Sequence, residues 1–366
     1  MPSVHVPRMR SVRAVRTVHA QRARAQDADM APGPEPNATA PAGAGPALRV
    51  ALAASCGLIL LVGLPANVLM LLVVGRGPRG PVRPLLALTN SLMVNITLSD
   101  LLFLACVVPV QGLSFLRAGW WLGPALCTLS QAANTATMFC TFYSMGATAL
   151  LRHAAVARAP RVALPAGRAA RLLLCAAAWA LGLATSLPNW LLQRLAGAGP
   201  DRACLLPLSP AQAARYFALL GALAVLPCVL GLGCSFGHVG WLLRTRPRGP
   251  PGESLREHRD NTGLLLVVLG LFVLMWGPCS VLGYLSAVGA LPDTLGAFVA
   301  SSLCVLLAYS NCAVSPLLCF YLSRPFRAGL RDLLRWPWAP RPPGAGRGAA
   351  VGIERAPPGL GGAAGV

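Results

Sequence analysis

Long, mostly apolar runs alternate along the chain with short polar or Gly/Pro-rich breaks. Seven such runs lie at roughly 47–74, 85–113, 124–155, 169–193, 211–243, 261–289 and 294–321. The breaks read "GRGPRGPVRP", "RAGWWLG", "RAPRVALPAGR", "RLAGAGPDRACLLPLSP", "RTRPRGPPGESLREHRD" and "ALPDT". A hydrocarbon core about 30 Å thick takes about 20 helical residues to cross, and each run is long enough. The runs lack the two-residue alternation of barrel strands, and helices are the other structure that satisfies its backbone in lipid. The pattern therefore predicts an all-α membrane protein, a seven-transmembrane helix bundle. After the last run, "SRPFRAGLRDLLRW" sets Phe326, Leu330, Leu333 and Leu334 on one face and Arg327, Arg331 and Arg335 on the other. That is a short amphipathic helix suited to an anionic inner leaflet, with Trp336 and Trp338 beside it as interfacial anchors. The expected division is 1–46 as a disordered extracellular N-terminus, 47–323 as the bundle, 324–336 as the amphipathic helix and 337–366 as a disordered cytoplasmic tail.

Arginine gives the orientation. The first, third and fifth loops with Arg152 hold thirteen arginines; the second, fourth and sixth hold only Arg117, Arg194, Arg202 and Arg215. The positive-inside rule then puts the odd loops in the cytoplasm and the N-terminus outside. Composition agrees with a membrane class: 55% of residues are hydrophobic, 11% are charged and the mean hydropathy is +0.61, where soluble domains carry about 25% charge. The net charge of +20 changes little, because all 31 basic residues are arginine, as base-composition bias produces. No basic stripe interleaved with aromatics accompanies it, so no nucleic-acid partner is expected. Residues 1–30 have the composition of a transit peptide or of an over-long start with translation from Met30. Asn37-Ala38-Thr39 is an outward sequon expected to be glycosylated, whereas Asn95-Ile96-Thr97 falls inside the second run.

Little chemistry of the enzymatic kind is present. The twelve cysteines form no CxxC, and there are no paired carboxylates, HExxH, GxSxG or P-loop, so no catalytic residue and no enzyme is expected. Asp100 is the sole acid in any of the seven runs. An intramembrane carboxylate is costly and marks a functional site by default, or else a hydrogen-bonded buried acid without a switching role. Cys127 and Cys204 are the two cysteines placed outside, where a disulfide or two free thiols are the options. From Cys127 to Arg152 is 25 residues, about 37 Å of helix, so Arg152 emerges on the cytoplasmic side, as a snorkelling arginine or as part of a switch.

Residues along the whole bundle carry a resemblance. Asn67 in "GLPANVLM", Asp100 in "NITLSDLL", Trp120 and Cys127 in "WWLGPALC", Trp179, Pro227, Phe272, Trp276 and Pro278 in "FVLMWGP", and Asn311 and Pro316 in "NCAVSPLLC" occur in order. The chain resembles a rhodopsin-like (class A) G-protein-coupled receptor over residues 47–336. Pro109 in "CVVPVQ" and "LPNW" are similar to the peptide-receptor branch around galanin receptors, including galanin-receptor-like orphan receptors.

The resemblance implies an outer pocket for an extracellular ligand, a peptide by branch. Gln131, Asn134, Thr135 and Met138 share one face of the third helix, and Trp276, Cys279, Ser280, Tyr284 and Tyr309 are expected opposite. Asn134 stands where aminergic receptors have an aspartate, which argues against an amine ligand, and a neutral lipid stays open as the alternative to a peptide. Asp100, Thr141, Asn311 and Ser315 are implied as an allosteric Na⁺ site, with no other cofactor or metal. Phe142, Pro227, Phe272, Trp276, Pro278 and Pro316 are implied to relay motion to Arg152 and a heterotrimeric G protein of the Gi/o type. Four cytoplasmic positions depart from the family. DRY is Leu151-Arg152-His153, the acid at the base of the sixth helix is His258, and two latching tyrosines are Ser235 and Cys319. The expectation is an intact fold with weak or atypical coupling. A non-signalling scaffold or decoy is the alternative, and a transporter a more distant one.

Overall fold

The computed structural model describes residues 44–76, 84–158, 167–199, 202–223, 233 and 253–335; for 84–86, 152–158, 253–266, 324–325 and 335 it describes the helical backbone alone. In chain order these form α1 (Pro46–Gly75), α2 (Pro84–Cys106), α3 (Val108–Phe115), α4 (Gly123–Arg158), α5 (Arg168–Leu192), β1 (Arg194–Ala196), β2 (Ala203–Leu205), α6 (residues 210–223), α7 (Glu253–Ala287), α8 (Leu295–Leu322) and α9 (Arg324–Arg335). Part of each of the seven apolar runs is therefore present as helix. Asn37, Pro227, Ser235 and the tail 337–366 lie outside the described residues.

Among the described residues five stretches are long and apolar enough to cross a membrane: Pro46–Gly75, Ala87–Phe115, Arg168–Leu192, Val267–Ala287 and Leu295–Leu322. The second passes through the α2–α3 break, where Val107 still donates to the Phe103 carbonyl and Gln111 to that of Val107. The 36-residue α4 is not among them, and its position explains why. It packs against α2, α5 and α7, so lipid need not see its threonines and serines. Several of these hydroxyls return to carbonyls of their own helix: Thr137 to Ala133 at 2.6 Å, Ser144 to Cys140 at 2.7 Å and Thr148 to Ser144 at 2.8 Å. Buried hydroxyls stay satisfied this way.

Side-chain amides fasten the helices to one another. Asn95 on α2 donates to Ser144 of α4 at 2.9 Å and accepts from the Trp179 indole of α5 at 2.9 Å. It is buried, in keeping with its exclusion as a glycosylation site. Asn67 on α1 donates to the Cys312 carbonyl of α8 at 2.7 Å. Proline at 316 has no N–H, so the carbonyl four residues back, that of Cys312, loses its helical donor. Asn67 replaces it. At the α4–α5 crossing the backbones nearly touch, since a Cβ on Gly182 would sit 2.6 Å from the Ala136 carbonyl oxygen.

Two ends of the bundle complete the frame. Thr294 caps α8 by accepting from the Ala297 amide at 3.2 Å, a cap that stabilises the helix start. At the other end, α9 packs Phe326, Leu330 and Leu333 on the core. Leu334, read onto the same face, is exposed: it lies one position beyond the i, i+4, i+7 stripe of the other three.

Candidate functional site

The break "RLAGAGPDRACLLPLSP" carries a hairpin. β1 and β2 pair antiparallel with Leu195 opposite Cys204, turned through Gly197 and Gly199 at φ 78° and 57°, a region that favours glycine. Cys127 and Cys204 form a disulfide with Cα atoms 5.6 Å apart, which ties the hairpin to the outer end of α4. Trp120, in the loop before α4, donates its backbone N–H to the Arg202 carbonyl, and its indole donates to the Gly123 carbonyl at 2.8 Å. Three chain segments are thereby pinned over the mouth of the bundle.

Beneath the hairpin the face of α4 expected to meet a ligand divides in two. Gln131, Asn134 and Met138 keep intermediate exposure, and the Oδ1 of Asn134 is buried without a hydrogen-bond partner. Thr135, by contrast, accepts from the Asn189 amide of α5 at 2.6 Å. Asn189 also donates to the Gln131 carbonyl at 3.1 Å and accepts from Tyr216 of α6 at 3.4 Å. Thr135 thus sits on the α4–α5 seam. Asn189 was not singled out beforehand, although "LPNW" was; a lone buried asparagine gives no sign of its partners. On α7, Ser280 and Tyr284 are exposed and Cys279 is half-buried. The Ser280 hydroxyl donates to the Trp276 carbonyl at 2.9 Å.

At the floor, aromatic rings form a continuous column. Phe142 meets Phe272 edge-on with centroids 4.4 Å apart, and Phe272 stacks on Trp276 at 5.9 Å. Trp276 lies 6.3 Å from Tyr309 and 6.2 Å from Phe103, which meets Tyr309 edge-on at 4.8 Å. Such pairs contribute about 0.5–1.5 kcal/mol each beyond their buried area. Tyr309 is buried, part of this floor and deeper than a rim contact. Phe103 escaped the sequence reading, yet it stands three residues after Asp100 on the same helix face, and that spacing was the available signal.

Directly against this column is a cavity of about 20 Å³, measured as the space open to a water's centre, lined by Asp100, Thr141, Asn311, Met138, Phe272 and Trp276 among others. About 10–15 Å³ on that measure holds one water. Three of the four oxygen donors read for a cation therefore share one chamber. Ser315 is one step removed, donating to Asn311 Oδ1 at 3.3 Å. Thr141 donates to Ser99, and Ser99 to the Thr137 carbonyl, at 3.3 and 2.9 Å, which leaves the Thr141 lone pairs free. The indole N–H of Trp276 is buried without a partner. Pro278 and Pro316 lie inside α7 and α8. Arg152 and His258 belong to α4 and α7 by backbone alone, and Cys319 is buried in α8.

The architecture is thus a helical membrane bundle with a disulfide-tethered hairpin at one end, an aromatic floor and a buried acid beneath it. The family model "7 transmembrane receptor (rhodopsin family)" matches residues 66–318, and the chain belongs to that family. It is a class A peptide receptor of the G-protein-coupled kind, with seven membrane-spanning helices. Human KiSS-1 receptor is 28% identical over 308 residues, covering 77% of this chain and 73% of its own length. Human galanin receptor type 2 is 29% identical, covering 75% and 70%. Human proteinase-activated receptor 4 is 33% identical, covering 75% and 70%. Galanin receptors stand among these relatives without being set apart from them.

Proposed function

We propose that this receptor sits in the plasma membrane with its N-terminus outside, binds a peptide between α4, α7 and α8, and passes the signal through the Phe142–Phe272–Trp276 column to a G protein at the Arg152 end. The observation that carries this reading is the ring column standing directly on the Asp100 chamber. A ligand that displaces Trp276 changes the packing of Phe272 and Phe142 and the shape of the cavity in one movement. Such a ligand shifts populations only by its differential affinity for the two arrangements. No ionised side chain stands among Gln131, Asn134, Met138, Ser280 and Tyr284 to offset an ammonium ion, and the bare Asn134 oxygen can accept from a peptide N–H.

Asp100, Thr141 and Asn311 fit a Na⁺ ion, because hard oxygen donors, one of them a carboxylate, face a chamber larger than one water. Bound there, the ion supplies a counter-charge that makes the buried carboxylate tolerable. Asp100→Asn should abolish any effect of NaCl, against choline chloride, on ligand affinity; an undiminished Na⁺ effect would remove the site. The amphipathic α9 is assigned to the anionic inner leaflet, and the G protein to the Gi/o type by resemblance.

Coupling is proposed to be weak or atypical, because Leu151 and His258 remove the restraint on Arg152 while Ser235 and Cys319 remove its support. The same four positions favour the second reading, a non-signalling decoy on a receptor fold. The test is a panel of galanin-family and other peptides, scored by G-protein dissociation in cells. A ligand-dependent response supports the receptor reading. Binding of a peptide without any G-protein response supports the decoy.

A further inference from the structure

The outer rim has a charge character that the pocket beneath it lacks. Arg117, Arg194, Arg202 and Arg215 are all exposed there, and Asp293 is the one acid of these outer loops among the described residues. Arg117 lies over the Trp121 ring at 4.7 Å, and no side chain among the described residues pairs with Arg194, Arg202 or Arg215. Arginine replaces lysine throughout the chain, so number alone means little; placement is what counts. The Trp120–Arg202 backbone bond brings the Arg117 loop against the hairpin. The Tyr216–Asn189 bond draws the start of α6, with Arg215, to the outer end of α5.

A fifth arginine stands at the same end of the bundle. Arg49, near the start of α1, donates its Nε to the Ala44 carbonyl at 3.0 Å, yet its Nη1 is buried with no acceptor. Gly112 of α3 abuts Cys56 of α1. From that level Arg49 is seven residues toward the start of α1, and Arg117 is five residues on, two of them past the end of α3. Arg49 on α1 and Arg117, just past the end of α3, thus belong to neighbouring segments at this end of the bundle, and the Arg49 Nη1 is buried without an acceptor.

We infer that the ligand is an acidic peptide, whose carboxylates engage this arginine rim while an uncharged portion descends to Asn134 and Trp276. Register explains the choice of a peptide over a single-headed acid. Arg194 lies at one end of the pairing, opposite Leu205, whereas Arg202 precedes Ala203 at the other end. One carboxylate or phosphate cannot serve both, but acids spaced along a peptide can. The electrostatics would act mainly on encounter and selectivity. The inference rests on the peptide-receptor reading and names its ligand class.

The test is selection of a displayed random 12-residue peptide library on the full chain in nanodiscs, without G protein, so that weak coupling cannot pass for absent binding. The expected result is enrichment of peptides with net negative charge, reduced about tenfold or more by the triple variant Arg117→Gln, Arg194→Gln, Arg202→Gln and retained by the matching arginine-to-lysine triple. Binding that weakens steeply between 50 and 300 mM NaCl would agree. Enrichment of neutral or basic peptides overturns the inference, as does equal enrichment on the glutamine triple. Retention of a sulfated oligosaccharide probe with no peptide retained also overturns it.

Discussion

Single amides hold this bundle at points that apolar packing cannot specify. Asn95 serves an indole and a hydroxyl on two other helices, and Asn67 supplies the donor that Pro316 withholds from Cys312. Hydrogen bonds between membrane helices average about 0.6 kcal/mol and reach about 1.7. Asn95→Ala should therefore lower stability by about 1–2 kcal/mol, more than a single-partner loss such as Ser280→Ala, in thermal unfolding of the detergent-solubilised receptor. Thr135 gives a sharper test, because its hydroxyl is spent on Asn189. Thr135→Val should reduce the unfolding midpoint while leaving peptide affinity within about twofold, since the loss is that of one internal hydrogen bond; Gln131→Ala should do the reverse. Sequence alone placed both residues on the same face of α4. Helical periodicity fixes the face but not which neighbour meets each edge of it.

At the scale of elements, glycine contacts separate a tight helix crossing from a position with open space among the described residues. A Cβ at Gly182 would collide with the Ala136 carbonyl and approach the Cys140 amide to 3.1 Å, whereas one at Gly277 meets nothing within 4 Å. Gly182→Ala should cost about 1–3 kcal/mol through overpacking against rigid backbone. Gly277→Ala should be neutral or stabilise by about 0.5–1 kcal/mol through reduced chain entropy. Surface expression and thermal midpoint of the two variants check the contrast, and equal effects would mean that α4 and α5 do not approach as described. The helices and the break positions were legible in hydropathy, because lipid demands a near-continuous apolar run. α4 was legible as a run although it falls short of the apolarity of the other spans, its polar residues being shielded by neighbours. The β1–β2 hairpin was not legible, since its three-residue strands carry little alternation and are fixed by the disulfide and by Trp120.

For the whole molecule, the rings from Tyr309 to Phe142 link the floor of the proposed pocket to the interior of α4 and α7, and the proposed switch lies beyond their inner end. Asp100, Phe272, Trp276 and Asn311 could be picked out because each is a rare residue type at a fixed place along its run; their convergence on one chamber needed three dimensions. The inner end departs from the family through Leu151, Ser235, His258 and Cys319, and those departures carry the central claim that the fold is intact and the switch is weakened. Its most direct test is G-protein dissociation measured side by side for the wild-type chain and for Ser235→Tyr plus Cys319→Tyr, at matched surface expression, with and without a binding peptide. The account predicts a small peptide-dependent signal in the wild type and a several-fold larger one in the double variant, each 1.4 kcal/mol of restored active-state preference being worth a factor of ten. A strong wild-type response that the two tyrosines leave unchanged would contradict it.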